Sequence, residues 1–155
     1  MKKGFTLIEL LVVVAIVGLV ASVVLASLSS ARKRSRDARR IDDIKQIRTA
    51  LELYFSVNSS YPTALSALVP EQIPVIPADP LGNTGALCRT AAGYCYAYSP
   101  LANPTYYHIG AQLEETTNPA FNSDKDCSSA GTGCPAGVAY INGFDGTDPI
   151  YDIIP

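Results

Sequence analysis

The sequence predicts an α+β protein, in which a long amino-terminal α-helix, suited in its first half to a membrane, packs on a small antiparallel β-sheet head. Three observations carry this reading. From Phe5 to Leu28 only Thr6, Glu9, Gly18, Ser22 and Ser27 interrupt an apolar run, and about 20 such residues span a bilayer as a helix. Ile41, Ile44, Ile47, Leu51, Tyr54 and Phe55 then recur at intervals of three and four, with no proline before Pro62, the period of an amphipathic helix. Beyond Pro62, three segments rich in aromatic and β-branched residues are separated by Gly, Pro, Asn and Ser clusters, as in a short-stranded sheet.

Each element follows from its residues. The helix is expected to run unbroken from near Phe5 to Asn58-Ser59-Ser60-Tyr61-Pro62, where the polar trio favours a turn and Pro62 turns its predecessor away from helix. At 1.5 Å per residue, some 50 residues make a rod of about 75 Å, longer than a small domain needs, so the first half is expected to project and the striped half to pack on the head. Residues 63–69, "TALSALV", predict one short helix before Pro70, Pro74, Pro77 and Pro80 impose turns. The strands expected are "YCYAYS" from Tyr94, "TYYHIGAQLE" from Thr105 and "GVAYIN" from Gly137. Tyr94, Tyr96 and Tyr98 alternate, so one tyrosine face packs on the helix or forms an exposed patch for adhesion.

The formal charge of −2 conceals two opposite halves. Residues 1–52 hold ten Lys or Arg against five Asp or Glu, and residues 53–155 hold two against nine. A basic half beside an apolar run points to a membrane surface or an anionic partner, and the acidic remainder argues against nucleic acid. The run Arg32-Lys33-Arg34-Ser35-Arg36-Asp37-Ala38-Arg39-Arg40 reads as a solvated or headgroup-bound helix face, or as a partner for acidic surfaces of adjacent subunits. By the positive-inside rule it belongs in the cytoplasm. The cysteines oppose that side: Cys88, Cys95, Cys127 and Cys134 form two pairs of equal spacing in the acidic half, which favours disulfides and an oxidising compartment. Local bridges Cys88–Cys95 and Cys127–Cys134 are the simplest of the three connectivities. Zinc fits poorly, because C-x6-C is not a usual thiolate spacing and His108 is the single histidine.

Glu9 is the residue that an ordinary anchor does not explain. A carboxylate within hydrocarbon costs roughly 2.5–3.5 kcal/mol on insertion scales and is usually retained for a partner. Cleavage by an ordinary signal peptidase near Ala26 or Ala31 is the alternative reading, although the run is long for a secretory signal.

Lys2-Lys3-Gly4-Phe5-Thr6-Leu7-Ile8-Glu9 resembles the leader and cleavage site of type IV pilins and type II secretion pseudopilins. The resemblance implies a pilin-like fold divided into a leader (1–4), a membrane and assembly half of the helix (5–28), an amphipathic half (29–57) and a globular head (58–155). It implies cleavage between Gly4 and Phe5 by a membrane prepilin peptidase and N-methylation of Phe5. Glu9, fifth in the mature chain, would then meet the terminal amine of a neighbouring subunit, because two charges costly alone in an apolar bundle are tolerable as a pair. A cytoplasmic assembly ATPase and a platform protein are further implied partners. The subunit would sit in the cytoplasmic membrane with its head outside before entering a surface or envelope filament.

Residues 70–82, with Asp79-Pro80-Leu81-Gly82, resemble the αβ-loop of that family. The chain departs from many pilins in having no proline near Ala26. Near the carboxyl end "INGFDGTDPIYD" places Asp145, Asp148 and Asp152 in a Gly-rich loop, and by resemblance to calcium-binding pseudopilins Asp145 and Asp148 are candidate ligands, with Asp124 and Asp126 as helpers; solvated turn aspartates are the simpler alternative. No Ser/His/Asp set in recognisable context, phosphate loop or carboxylate pair at a catalytic spacing marks the chain as an enzyme. Three functions remain: a pilus subunit, a secretion pseudopilin, and a membrane-tethered binding module that does not polymerise.

Overall fold

The structure is a computed structural model and describes residues 4–82 and 93–155, apart from the side chain of Ala26. The chain divides into two compact units, residues 1–35 and 36–155. A single helix, α1 (Leu7–Asn58), contributes to both. The remaining elements are a 3-10 turn at Leu65–Leu68, strands β1 (Cys95–Tyr98) and β2 (Tyr107–Gln112), a second 3-10 turn at Pro119–Ser123, and β3 (Ile150–Ile153).

In the first unit, the apolar part of α1 is long enough to cross a membrane. Its large side chains from Phe5 to Leu25 are exposed, Phe5 and Leu7 by about four-fifths of their surface. In water so much contiguous apolar surface is untenable, so it must be covered by lipid or by other helices.

The second unit is a helix-on-sheet layer. The sheet order is β1-β2-β3, antiparallel throughout; Tyr96 pairs with Ile109, and Ile109 with Ile153. Alternation sends Tyr94, Tyr96, Tyr107, Ile109, Ala111 and Tyr151 toward Ile44, Ile47 and Leu51 of α1. It sends Cys95, Ala97 and Ile150 to the opposite face, where Cys127, Cys134, Tyr140 and Phe144 cover them. Gly110 is a glycine in mid-strand because a side chain there would crowd Ile150 and Phe144.

The tyrosines are core residues. Tyr61, Tyr94, Tyr96, Tyr107, Tyr140 and Tyr151 are buried, so the structure places the alternating aromatic face on the helix and not in an adhesive patch. Buried hydroxyls need acceptors. Tyr94 donates to Asp43 (2.6 Å), Tyr96 to the Pro62 carbonyl (2.6 Å), and Tyr61 to Glu52 (3.2 Å). Burial, reinforced by the nearby Glu52 charge, pushes the Tyr61 hydroxyl up to about 12.

The third strand is not where the sequence put it. Gly137–Asn142 is not extended, because Ala136, Gly137 and Asn142 all have positive φ, and only Ile141 bridges to Tyr98. The strand is Ile150–Ile153, four residues behind Pro149, too short to announce itself among the aspartates.

The basic run also divides. Arg40 is 1% exposed, and its guanidinium meets Asp37 (2.7 Å), Asp79 (2.5 Å) and Glu114 (2.9 Å). Arg36 grips Glu114 with Nε (2.7 Å) and Nη2 (2.6 Å). Asp37 also accepts the backbone N–H groups of Glu114 and Glu115, both at 2.9 Å. Hydrogen bonds from Arg36, outweighing the penalty of burial, hold the Glu114 carboxyl down at about 2. Of a run expected to lie on a solvated face, Arg40 is thus internal and Arg36 half-buried, and they tie α1 to the αβ-loop through Asp79 and to the end of β2 through Glu114.

Removing one member of such a set leaves buried charge uncompensated. Arg40→Met is expected to destabilise the head by about 3–5 kcal/mol. Near-ultraviolet circular dichroism of the tyrosines during denaturant titration checks this; a loss below about 1 kcal/mol, the value of a surface pair, would contradict it.

Candidate assembly site and cation site

The first site lies at the start of α1. Gly4, Phe5 and Thr6 precede the helix and are exposed, so the Gly4–Phe5 bond is presented on non-helical backbone. A side chain at Gly4 would meet nothing within 4 Å; the chain's own fold does not demand this glycine. Thr6 and Glu9 form a reciprocal capping box. The Thr6 N–H and hydroxyl both donate to Glu9 Oε2 (2.9 and 2.7 Å), and the Glu9 N–H donates to Thr6 Oγ1 (3.3 Å). Glu9 therefore has a local structural role as well as a charge. The signature Thr-x-x-Glu ahead of an apolar run was present in the sequence and is what could have revealed it.

The second site lies on the far face of the sheet, under the carboxyl-terminal loops. Cys127 and Cys134 are joined as expected; Cys88 lies outside the described residues, and with it the pairing expected with Cys95. His108 and Asp152, neighbours across β2 and β3, are both wholly buried. His108 makes a 2.6 Å hydrogen bond through Nε2 to Asp152 Oδ2 and a 2.7 Å bond through Nδ1 to Ser129 Oγ, and its ring stacks on Phe144 at 3.8 Å. Asp152 Oδ1 accepts the N–H groups of Lys125 (2.9 Å) and Asp126 (3.0 Å). Asp152 is thus the residue that shapes the 124–127 loop from beneath. A side chain at Gly146 would overlap its carboxylate. His108 also lies near both Cys127 and Cys134, but sulfurs bonded to each other are not thiolate ligands for zinc.

The loop so held brings Asp124, Asp126 and Asp148 together, with carboxylate oxygens within 4.8 Å of one another. That is the span of two oxygens on opposite sides of one calcium ion, at about 2.4 Å each. Both Asp124 oxygens are buried without a hydrogen-bond partner, an unsatisfied state that is uncommon for a carboxylate in a native fold. Asp145 is not in this set. Its Oδ1 accepts the Thr147 N–H at 3.2 Å in a turn of its own, and Ser128 pairs with it as an isolated bridge. Of the four aspartates the sequence offered, the structure brings Asp124, Asp126 and Asp148 together and leaves Asp145 apart. The resemblance pairs Asp145 with Asp148; in the structure Asp148, two residues before β3, is the one that lies beside Asp124. Burial, with the charges of Asp126, Asp152 and Asp148, pushes the Asp124 carboxyl up to about 6.

An exposed apolar helix with a capped start, joined in sequence to a helix-on-sheet head with cross-linked loops, defines a class of membrane-anchored structural subunit. A family model for the prokaryotic N-terminal methylation motif matches residues 1–25. The chain is 35% identical over 82 residues to the type II secretion system core protein G of Dickeya chrysanthemi, covering 51% of this chain and 52% of that protein. It is 38% identical over 98 residues to the core protein G of Vibrio cholerae, covering 53% and 67% respectively. To the type IV wide pilus major component of Thermus thermophilus it is 38% identical over 77 residues, covering 50% and 59%. The chain thus spans roughly half to two-thirds of these relatives' length. No solved structure matches it. The chain belongs to the family of type IV pilins and type II secretion pseudopilins.

Asp124 generates a prediction with a definite sign. The folded chain holds this proton up to about pH 6 while the unfolded chain releases it near its ordinary value of 3.8. The folded state binds more protons between those values, so stability falls as pH rises across the window. Melts in a chelator at constant ionic strength should show this fall, and Asp124→Asn should remove it.

Proposed function

We propose that this chain is the subunit of a type IV pilus-like filament, cut after Gly4, N-methylated at Phe5 and polymerised through the first part of α1. The observation that carries the reading is the start of the helix. A glycine with no role in its own fold precedes an exposed Phe5, and one turn later stands Glu9, whose Oε2 is engaged by Thr6. Glycine at that point is then a requirement of the peptidase, which cuts the bond presented there. Both Thr6 bonds converge on Oε2, so Oε1 is the atom offered to the methylated amine of a neighbouring Phe5. The exposed apolar surface behind them supplies the helix-to-helix packing. The prepilin peptidase, an assembly ATPase and a platform protein are the partners this route requires, with the head outside the cytoplasm.

A second reading, the pseudopilin of a type II secretion system, is favoured by the relatives named as its core protein G and by the burial of six tyrosines in the head, which leaves Tyr106 as the exposed one among the described residues. Intact-mass measurement on filaments sheared from native cells and on washed membranes separates the two. A chain starting at Phe5 with one added methyl group in the sheared fraction establishes an extracellular pilus, and the same species confined to membranes establishes the secretion type. A chain keeping Met1 would overturn both.

The two roles of Glu9 can be separated. Glutamine also serves in a capping box, so Glu9→Gln is expected to keep the helix start intact and insert normally, yet to lower filament yield on the order of a hundredfold by deleting the charge pair. Normal filaments from this variant would overturn the charge-pair role of Glu9, whereas a native chain that inserts in the membrane and forms no filament would support the non-polymerising module.

For the second site we propose calcium, held by Asp124, Asp126 and Asp148 with water and backbone oxygens completing its shell. The ion would neutralise three clustered carboxylates and stabilise the loop. Saturating calcium should raise the melting temperature, by an amount equivalent to about 2.7 kcal/mol at a hundred times the dissociation constant. Asp124→Asn should abolish the rise while Asp145→Asn preserves most of it.

A further inference from the structure

Cys127 is tied to the rest of the head by its side chain, its N–H and its carbonyl, each to a different segment. Its sulfur is bonded to Cys134. Its N–H donates to Asp152 Oδ2 (3.3 Å), and its carbonyl accepts the Gly146 N–H (3.0 Å). A side chain at Gly146 would run into that carbonyl, so the close approach of the two backbones requires glycine there. The acidic cluster is built on these ties. Asp124 and Asp126 stand three residues and one residue before Cys127, while Asp148 stands two residues after Gly146. The two halves of the cluster therefore meet through the backbone of one cysteine.

The loop does not hold its shape by local preference. Asp126 has a φ of 47°, left-handed backbone that a residue with a side chain keeps only where its surroundings impose it. Asp152 supplies part of that constraint by accepting the N–H groups of Lys125 and Asp126. The disulfide supplies the rest from two directions. Cys127 is anchored covalently beside Asp126, and the Cys134 sulfur lies 3.9 Å from His108 Nδ1, on the ring whose Nε2 bonds Asp152.

We propose that the Cys127–Cys134 bridge is a positioning element of the calcium site: it fixes Asp124 and Asp126 against Asp148, and its loss weakens ion binding without unfolding the head. This inference rests on the calcium reading above. Groups that orient a metal's ligands without touching the ion contribute about 10–100-fold in affinity. The coupling is reciprocal. If the bridge tightens calcium binding by some factor, saturating calcium favours the bridged form over the dithiol by the same factor.

The test uses the unaltered full chain in detergent micelles, equilibrated in mixtures of reduced and oxidised dithiothreitol with saturating calcium or with a chelator. In this exchange the protein S–S bond breaks, two protein thiols form, and the reagent dithiol closes to a cyclic disulfide. Alkylation followed by mass spectrometry of the peptides reads each bridge separately. Calcium should raise the reagent's reduced-to-oxidised ratio at which Cys127–Cys134 is half reduced by about 10–100-fold, and leave the disulfide of Cys95 unmoved. Equal protection of both bridges would mean that calcium stabilises the head as a whole, and would overturn the proposal; so would protection of neither. Calorimetric titration of the double variant Cys127→Ser, Cys134→Ser reads the same factor from the other side, as calcium affinity about 10–100-fold weaker in a chain whose near-ultraviolet circular dichroism is native. Unchanged affinity in that folded variant would overturn the positioning role alone, and if the variant does not fold the exchange equilibrium decides. A wild-type chain that binds no calcium in the calorimeter would overturn the calcium reading itself.

Discussion

A guanidinium that has been taken out of water must be answered, and in the head of this protein that requirement falls on Arg40. It lies on α1 one turn before the apolar stripe of Ile44, Ile47 and Leu51, so packing that stripe on the sheet carries the charge inside. Isolated, it would cost several kcal/mol. The chain meets it with three carboxylates from three places: Asp37 one turn back, Asp79 in the αβ-loop and Glu114 beyond β2. Because the carboxylates are far apart in sequence, satisfying one cation fixes two loops against the helix. Burial disfavours the Arg40 charge, yet the hydrogen bonds it donates to Asp79 and Glu114 more than compensate and raise its pKa.

The same economy of polar groups recurs through the head. Asp43 and Glu52, on the borders of the apolar stripe, accept from Tyr94, Tyr61 and Tyr107, so the tyrosine layer is both hydrophobic and oriented. On the other face Asp152 receives His108 from the neighbouring strand and three successive backbone N–H groups, those of Lys125, Asp126 and Cys127, from the loop above. A carboxylate engaged in that way has little capacity left for a cation; it holds the backbone that carries Asp124 and Asp126, the ligands proposed above. The Cys127–Cys134 bridge closes the same loop from its other end. Rigid support beneath and uncompensated charge above is a common logic of ion sites.

In the amino-terminal unit the constraints are of another kind. Among its described residues no side chain is buried, and its order is that of a helix whose polar groups are satisfied along its own length. The reciprocal bonds between Thr6 and Glu9 terminate it at the point where the leader would be removed. What the surroundings must provide is cover for the apolar surface and, in the reading proposed above, a counter-charge for Glu9.

Much of this was legible in the residues. The long helix, its end at Asn58, the short turn near Leu65 and two of the three strands follow from periodicity and from proline and glycine placement, because local sterics and the need to bury one face act over a few residues. Glu9 stood out because a charge inside an apolar run is an anomaly visible without coordinates, whereas Gly4 and Phe5 were marked by the resemblance alone. What the sequence could not decide was which distant groups share one buried place. That Arg36 and Arg40 turn inward while Arg32, Lys33 and Arg34 remain outside depends on which helix face meets the sheet. That Asp148 joins Asp124 and Asp126, and Asp145 does not, depends on a four-residue strand whose only credential is its pairing with β2. Partnerships between residues dozens of positions apart are set by packing and by the demand that buried charge be compensated, and only the tertiary structure resolves them.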